Sequence, residues 1–198
     1  CLSHKKAIKN LATLDVLLSL VQVARLEGYC RPALFDSDEI IIKIENGRHP
    51  IIPLVPSNDD QFVANDTNLK ADEQCCMILS GPNMGGKSCY IRQVALIALM
   101  AHIGSYVPAS SATISILDAL YTRMGGRDDL FKGKSTLMIE LEDAAFIIQK
   151  ATCHSLVLMD ELGHGTSSCD GTSLAIATLC HLLTKVKCLT LFVTHYPA

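Results

Sequence analysis

The sequence predicts an α/β fold in which a mainly parallel sheet is covered by helices on both faces. In the second half of the chain, short apolar segments alternate with longer segments of helical periodicity. The short segments are apolar at consecutive positions, as is typical of parallel strands that are buried on both faces. The predicted strands are 75–79, 113–117, 156–159 and 189–193, and the predicted helices are 87–103, 135–150 and 172–183. Right-handed crossovers should connect the parallel strands.

Composition sets the broad class of the protein. The chain has 198 residues, of which 49% are hydrophobic and 19% are charged. This length and apolar content predict a folded domain with its own core and exclude an intrinsically disordered chain. The net charge of −3 argues against a chain that binds nucleic acid over its whole surface. Any DNA affinity would come from a partner or from other parts of a longer protein.

The sequence predicts neither a targeting signal nor a membrane span. It begins at Cys1 without a charged and then apolar leader, so we expect no signal peptide. The longest apolar runs are interrupted by His102 or Asp118, which predicts no membrane span. The nine cysteines form no Cys-x-x-Cys pair and lie mostly in apolar stretches, which predicts buried, reduced thiols in an intracellular protein. A structural zinc site is the alternative.

The first half of the chain begins with an amphipathic helix that should end before Gly28 and Pro32. Its apolar stripe consists of Leu11, Leu14, Leu17, Leu18, Val21 and Ala24. No second helix in the chain matches this stripe, and we interpret the helix as the end of a longer one. Isoleucines at 40, 42 and 44 then predict a strand, with a turn at Asn46-Gly47. A proline-containing loop and an acidic, Asn-rich stretch follow.

Residues Gly81-Pro82-Asn83-Met84-Gly85-Gly86-Lys87-Ser88, here called the phosphate loop, fit the pattern G-x-x-x-x-G-K-[ST]. They lie between a predicted strand and a predicted helix, which is the context that this pattern requires. Glycines let backbone N–H groups turn toward an anion, and the helix N-terminus adds its dipole. Lys87 can reach the β- and γ-phosphates, and Ser88 can hold Mg²⁺. The alternative is a glycine-rich turn with an exposed lysine.

Two carboxylates, Asp160 and Glu161, follow the apolar strand 156–159. Acids at the end of a buried strand are costly unless a cation is nearby. Asp160 can hold Mg²⁺ through its water shell, and Glu161 can orient and deprotonate an attacking water. A pair of solvated loop acids is the alternative.

Two further positions have both a functional and a structural interpretation. His195 ends the last predicted strand, and the carboxyl ends of parallel strands share one edge with the phosphate loop, so His195 can contact a γ-phosphate. A capping histidine is the alternative. Ser135 precedes a predicted helix, where an N-cap role is sufficient to explain it. In the functional interpretation this helix N-terminus points at a phosphate that another subunit holds.

Together these motifs resemble the ATPase domain of the MutS family of mismatch-repair proteins, from about Leu11 to the end. The matching segments are the phosphate loop with its Pro-Asn-Met insert, Asn46–Pro50, Ile103–Pro108, Ser135-Thr136, Asp160–Gly163, Asp170-Gly171 and Thr194–Tyr196. Segments 28–32 and 189–197 are most similar to a eukaryotic branch whose members form heterodimers and recognise insertion–deletion loops.

The resemblance implies a P-loop NTPase of the ABC type, a dimer with two composite sites that use ATP and Mg²⁺. It implies catalytic roles for Lys87, Glu161 and His195, and Mg²⁺ coordination by Ser88 and Asp160. Ser135 and Thr136 would act in trans on the nucleotide of the partner subunit. The implied ATP-binding residues are Phe62 and Val63 at the adenine, followed by Gly81, Pro82, Asn83, Met84, Gly85, Gly86, Lys87, Ser88 and Cys89.

The resemblance also implies how the chain is organised and used. Residues 1–28 would be the end of a helical lever, and 29–198 an ATPase domain without the C-terminal helices through which family members dimerise. ATP hydrolysis would switch a nuclear clamp that binds mismatched or looped DNA through other domains, with a second MutS-homologue subunit and no membrane. The alternatives are a nucleotide-binding module without turnover, used for dimer assembly, and a P-loop phosphotransferase with Arg127 on its lid.

Three residues differ from the usual family pattern. His164 stands between Gly163 and Gly165 where the family has Arg, Leu137 replaces Phe, and Ser168 replaces Thr. Imidazole lacks the fixed charge and the donor fork of a guanidinium. We therefore expect coupling between subunits that is weakened or sensitive to pH.

Overall fold

The computed structural model describes residues 2–37, 39–52, 62–124, 136–163 and 165–195. A π-helical turn, Leu182–Val186, connects the last helix to the last strand. The elements in chain order are α1 (Leu2–Ala24), β1 (Ala33–Phe35), β2 (Ile41–Gly47), β3 (Asn65–Lys70), β4 (Cys76–Leu79), α2 (Lys87–His102), β5 (Ser111–Ser115), β6 (Ala119–Arg123), α3 (Thr136–Lys150), β7 (Ser155–Asp160), α4 (Ser168–His181) and β8 (Leu189–Val193).

Four strands form a parallel sheet in the order β4-β8-β7-β6. The two central strands, β7 and β8, are buried at every position. Leu156 and Leu158 of β7 pack in the same core cluster as α2, whereas Val157 and Met159 pack with α3 and α4. Successive side chains of a strand point to opposite faces, so helices cover both faces of this sheet, as the sequence predicts.

The prediction that 113–117 belongs to the same sheet is wrong. The strand is present, as β5, but it lies in a second sheet of order β1-β5-β2-β3. There it runs parallel to β1 and antiparallel to β2. Ile114 lies opposite Ile42, and both side chains are fully buried, so this apolar cross-strand pair favours the antiparallel partner. The next strand, β6, supplies the edge of the parallel sheet and was not predicted.

The second sheet also contains a strand within the stretch described from the sequence as acidic and Asn-rich. In β3 only Thr67 and Leu69 are buried, so its remaining side chains face outward and leave a weak apolar signal. The strand predicted around the three isoleucines is confirmed as β2. The turn expected at its end is a bulge, because Asn46 has φ of 51° and the pairing with β3 skips from Ile44 to Gly47.

The predicted N-terminal helix is confirmed as α1, and its apolar stripe is exposed. The large apolar side chains Ile8, Leu11, Leu14, Val16, Leu17, Leu18 and Val21 are each between 52% and 66% exposed. By length and composition alone, the segment from His4 to Ala24 could cross a membrane, contrary to the expectation of no such segment. Polar residues interrupt the apolar runs of this segment, and only its mean hydropathy matches that of a membrane span. Buried helices of soluble proteins can have the same mean hydropathy.

The eight described cysteines are free thiols, but they are not uniformly buried. Cys153, Cys169 and Cys180 are exposed, whereas Cys188 is buried. Burial, followed by the neighbouring thiols, raises the pKa of Cys76 to about 12. Cys76 is therefore a poor nucleophile at neutral pH, because the thiolate is the reactive form.

His49 links β2 to the segment that follows, and we expect it to make the fold sensitive to acid. It is buried, and its Nδ1 accepts hydrogen bonds from the backbone N–H groups of Ile51 and Ile52, both at 3.2 Å. Burial, followed by the charge of Arg92, lowers the pKa of His49. Because the folded pKa is depressed, this contribution to stability is present above the unfolded pKa of about 6.5 and is lost as pH falls through the folded pKa.

Thermal unfolding between pH 7.5 and 5.0 measures this effect. The parent chain should lose stability across this range by more than a His49→Asn variant, whose amide oxygen keeps an acceptor and does not titrate. An equal loss in both chains would contradict the assignment to His49.

Candidate functional site

The phosphate loop connects β4 to α2, as predicted. Its residues 81–86 are exposed, and α2 begins at Lys87 with Gly86 as the N-cap in the left-handed conformation, φ 85°. Glycine adopts this conformation without strain. The first helical hydrogen bond runs from Tyr90 N to Gly86 O at 2.9 Å. The loop therefore presents a helix N-terminus to solvent, which is an arrangement that binds anions.

Lys87 lies across the phosphate loop. Its Nζ donates to the carbonyl oxygens of Gly81 and Pro82, at 2.8 and 2.9 Å. The ammonium group is thus held over the curled segment rather than extended into solvent. A phosphate oxygen is a stronger acceptor than a carbonyl because it is charged, so Lys87 is positioned to transfer its hydrogen bonds to a bound phosphate.

The acidic pair and the phosphate loop lie at one edge of the parallel sheet. Val193 of β8 is paired with Leu79 of β4 on one side and with Asp160 of β7 on the other. Two strand spacings separate Leu79 from Asp160, about 10 Å. The pattern continues one residue further: Thr194 N donates to Leu79 O and Glu161 N donates to Val193 O, both at 3.0 Å.

Glu161 and His195 are in direct contact. The Nε2 of His195 lies 2.5 Å from Oε1 of Glu161, and the two side chains are 25% and 36% exposed respectively. Glu161 has φ of 55°, in the left-handed region that few non-glycine residues adopt. From the sequence, both residues were expected at this edge, but not bonded to each other. A contact of this kind restricts the orientation of the Glu161 carboxylate.

Asp160 has the features of a cation ligand. It is 5% exposed, and its Oδ1 is buried without a hydrogen-bond partner in the described part of the chain. An unpaired buried carboxylate oxygen is costly, and a cation would relieve that cost. Mg²⁺ prefers carboxylate and hydroxyl oxygens, and Ser88 supplies a hydroxyl in the first turn of α2. These residue types therefore fit Mg²⁺.

A cavity of about 720 Å³ lies beside the phosphate loop. Phe62 and Val63 line it together with Gly85, Gly86 and Lys87, so the predicted adenine contacts and the loop share one cavity. Its size falls within the range of about 300–1,000 Å³ that is typical of ligand pockets.

Several residues of this cavity were missed from the sequence. These are Asn65, Asp66, Met77, Tyr90 and Gln93, among others; Cys89, which was predicted, also lines it. Helical spacing was an available signal, because Lys87, Tyr90 and Gln93 recur every three residues along α2 and so share a face. Tyr90 is anchored there by a hydrogen bond of 2.8 Å between its hydroxyl and that of Thr67.

Part of the predicted site falls outside the described residues, namely Ser135, His164 and Arg127. Thr136 is described as the first residue of α3, and it does not line the cavity. The start of α3 packs closely on the loop after β7, since a Cβ at Gly165 would lie 3.0 Å from the backbone N of Leu137. Thr136 thus lies near the segment that follows the acidic pair.

Comparison with known proteins places this site in a family. Residues 77–198 match the family model described as MutS domain V. The chain is 56% identical over 192 residues to the human (Homo sapiens) DNA mismatch repair protein Msh3, and 55% identical to the mouse (Mus musculus) protein of that name. It is 52% identical over 194 residues to DNA mismatch repair protein MSH3 of Arabidopsis thaliana. These alignments cover 97–98% of this chain but only 17–18% of each relative. The chain belongs to the MutS family through its domain V, an ABC-type ATPase domain.

Proposed function

We propose that this domain binds ATP with Mg²⁺ in the cavity beside the phosphate loop and hydrolyses it at the edge formed by β4, β8 and β7. The observation that supports this most directly is the strand register. Val193 of β8 is paired with Leu79 of β4 on one side and with Asp160 of β7 on the other. The phosphate loop after β4 and the acidic pair after β7 therefore lie at the same edge of the sheet. Ligand sites of open α/β sheets lie at this carboxyl edge.

Each side chain then has a physical role. Phe62 would stack on the adenine and Val63 would pack beside it. Asn83 and the other residues of the phosphate loop, through Cys89, would hold the phosphates, with Lys87 as the charged donor. The loop residues concerned are Gly81, Pro82, Met84, Gly85, Gly86 and Ser88.

Asp160, Glu161 and His195 would take part in hydrolysis, together with Ser88. Ser88 and Asp160 would hold Mg²⁺, which when bound neutralises charge on the phosphates. Glu161 would orient the attacking water and accept its proton. His195 would keep the Glu161 carboxylate in place and would also reach the γ-phosphate.

We further propose that ATP binding and hydrolysis switch a nuclear mismatch-repair clamp. The support is the similarity to proteins named DNA mismatch repair protein Msh3, of which the chain spans about a sixth. A second MutS-homologue subunit would complete each site with Ser135 and Thr136. Mismatched or looped DNA would bind to parts outside this chain. Residues 1–28 would end a lever and 29–198 form the ATPase domain, in keeping with the exposed stripe of α1.

The test is the effect of nucleotide on DNA binding by the intact protein with its partner subunit. We expect ATP to change the affinity for looped DNA by about 5- to 150-fold relative to ADP. In a Lys87→Met variant this difference should disappear, because loss of a charge-assisted hydrogen bond of about 1.5–3 kcal/mol weakens ATP binding by about 10- to 150-fold. Fluorescence anisotropy of labelled DNA and equilibrium nucleotide binding measure the two quantities.

The control variant is Lys43→Met, which removes an exposed lysine paired with Glu45 at 2.9 Å on β2. It should bind ATP and respond to it as the parent does. A Lys87→Met protein with parental ATP affinity would contradict the nucleotide site. A parent protein that binds ATP but shows the same DNA affinity with ATP and with ADP would contradict the proposed switching of a clamp.

A further inference from the structure

A buried ion pair lies behind the acidic residues and takes no part in the proposed chemistry. Arg123, the last residue of β6, and Glu140 of α3 are joined by a contact of 2.7 Å between Nη2 and Oε1. Their side chains are only 4% and 3% exposed. Removing two charges from water costs several kcal/mol for each ion. Stability alone is therefore a weak reason for the pair.

The other atoms of this pair hold the turn that carries Glu161. Nη1 of Arg123 donates to the carbonyl oxygen of Asp160 at 3.1 Å, and the backbone N of Gly163 donates to Oε2 of Glu140 at 3.1 Å. These bonds fix the first and the last residue of the turn Asp160–Gly163. Glu161 lies between them.

The turn needs such support because its backbone is strained. Glu161 and Gly163 have φ of 55° and 94°, and a non-glycine residue in the left-handed region persists only when its surroundings hold it there. The hydrogen bond from Glu161 N to Val193 O is a third restraint. The position of the Glu161 carboxylate is thus set partly by a side chain that belongs to α3.

Helix α3 contacts this turn through Glu140, and its first residue, Thr136, belongs to the segment predicted to face a partner subunit. Thr136 and Glu140 are four residues apart and so lie on the same face of α3. Leu137 packs against Gly165, beyond the turn. A displacement of the start of α3 would therefore move Glu140, and with it the hydrogen bond to Gly163.

We propose that Glu140 and Arg123 are positioning residues that set the geometry of Glu161 and couple it to the start of α3. This inference rests on the proposed hydrolysis by Glu161. Contact of the partner subunit with α3 would be transmitted through Glu140 to the turn. The site would thus be competent for hydrolysis only when α3 is in place, while ATP binding would not depend on the pair.

The decisive experiment replaces both charges together, with Arg123→Met and Glu140→Leu, in the intact protein with its partner subunit. Apolar residues of similar size leave no buried unpaired charge, but Asp160 O and Gly163 N lose the hydrogen bonds described above. We therefore expect a lower Tm, because buried polar groups without partners are costly, and a Kd for ATP that changes by less than twofold. We expect kcat to fall at least thirtyfold, and its stimulation by the partner to be lost.

A matched control removes the exposed ion pair Lys43–Glu45 of β2 by substituting Gln at both positions. This variant should retain the parental kcat. A second double variant, Arg123→Met with Glu140→Gln, also leaves no buried unpaired charge and keeps one oxygen that can accept from Gly163, so its kcat should lie between those of the parent and the first double variant. This partial rescue distinguishes positioning from a general loss of packing.

The outcomes separate this inference from the function on which it rests. An Arg123→Met/Glu140→Leu protein with parental kcat overturns the positioning role alone. An Arg123→Met/Glu140→Gln protein whose kcat and ATP affinity fall in the same proportion overturns it as well, and this result is sufficient if the first double variant does not fold. A parent protein without ATP hydrolysis overturns the proposed function, and the inference with it.

Discussion

A Glu161→Gln variant is expected to hydrolyse ATP about a thousandfold more slowly than the parent while binding ATP with an affinity within about threefold. A positioned general base contributes about 10²–10⁴ in rate, and an amide cannot accept the proton of the attacking water. The change keeps the size and shape of the side chain. The amide oxygen can also still accept a hydrogen bond from His195, which now contacts the carboxylate at 2.5 Å. Binding and turnover should therefore separate.

Single-turnover hydrolysis of saturating Mg²⁺-ATP measures the chemical step without product release. Glu73→Gln is a suitable control, because Glu73 is an exposed carboxylate paired with Lys70 away from the site. It should hydrolyse ATP at the parental rate. A Glu161→Gln protein with hydrolysis within threefold of the parent would assign water activation to another group. It would also favour a module that uses nucleotide mainly for assembly.

Strands β4, β7 and β8 of the parallel sheet could be predicted because they leave an apolar pattern in the sequence, whereas the edge strand β6 was not predicted. In β7, Leu156 to Met159 are apolar without interruption, since both faces are covered. The partner of β5 could not be predicted, because a segment of five residues does not specify which strand it joins. Ile114 pairs with Ile42, a residue 72 positions earlier (114 − 42 = 72), and no local pattern reports such a distant contact. β3 was missed since Leu69 is its only apolar residue.

In the nucleotide site, too, local motifs could be predicted from the sequence and long-range contacts could not. Lys87 and the glycines around it are contiguous in sequence, and their spacing is dictated by the geometry of a loop around phosphate, so the pattern is readable. The contact between Glu161 and His195 joins two strand ends 34 residues apart. The buried partner of Arg123 lies on a helix beyond a connecting segment. Charged residues are expected at the surface by default, and only the fold determines which of them are buried together.

A Gly163→Ala substitution is expected to destabilise the fold by about 2–5 kcal/mol. Two costs combine at this residue. Its φ of 94° is unfavourable for a residue with a Cβ, by about 1–2 kcal/mol. The added Cβ would also lie 2.7 Å from both Cα and O of Gly171 in α4, and overpacking costs about 1–3 kcal/mol. Backbone atoms cannot rotate away as a flexible side chain would, so α4 or the turn must shift.

Gly104→Ala separates the two costs. Gly104 has a similar φ of 83°, but a Cβ there would meet no atom within 4 Å, so only the conformational cost of about 1–2 kcal/mol applies. Urea unfolding of both variants measures the difference. Because the turn at Gly163 carries Glu161, the variant at Gly163 should also lose ATP hydrolysis in the fraction that remains folded, whereas the variant at Gly104 should keep it. Equal destabilisation of the two proteins would mean that the close approach of Gly163 to Gly171 adds no steric cost. The contact with α4 would then not hold the turn in place.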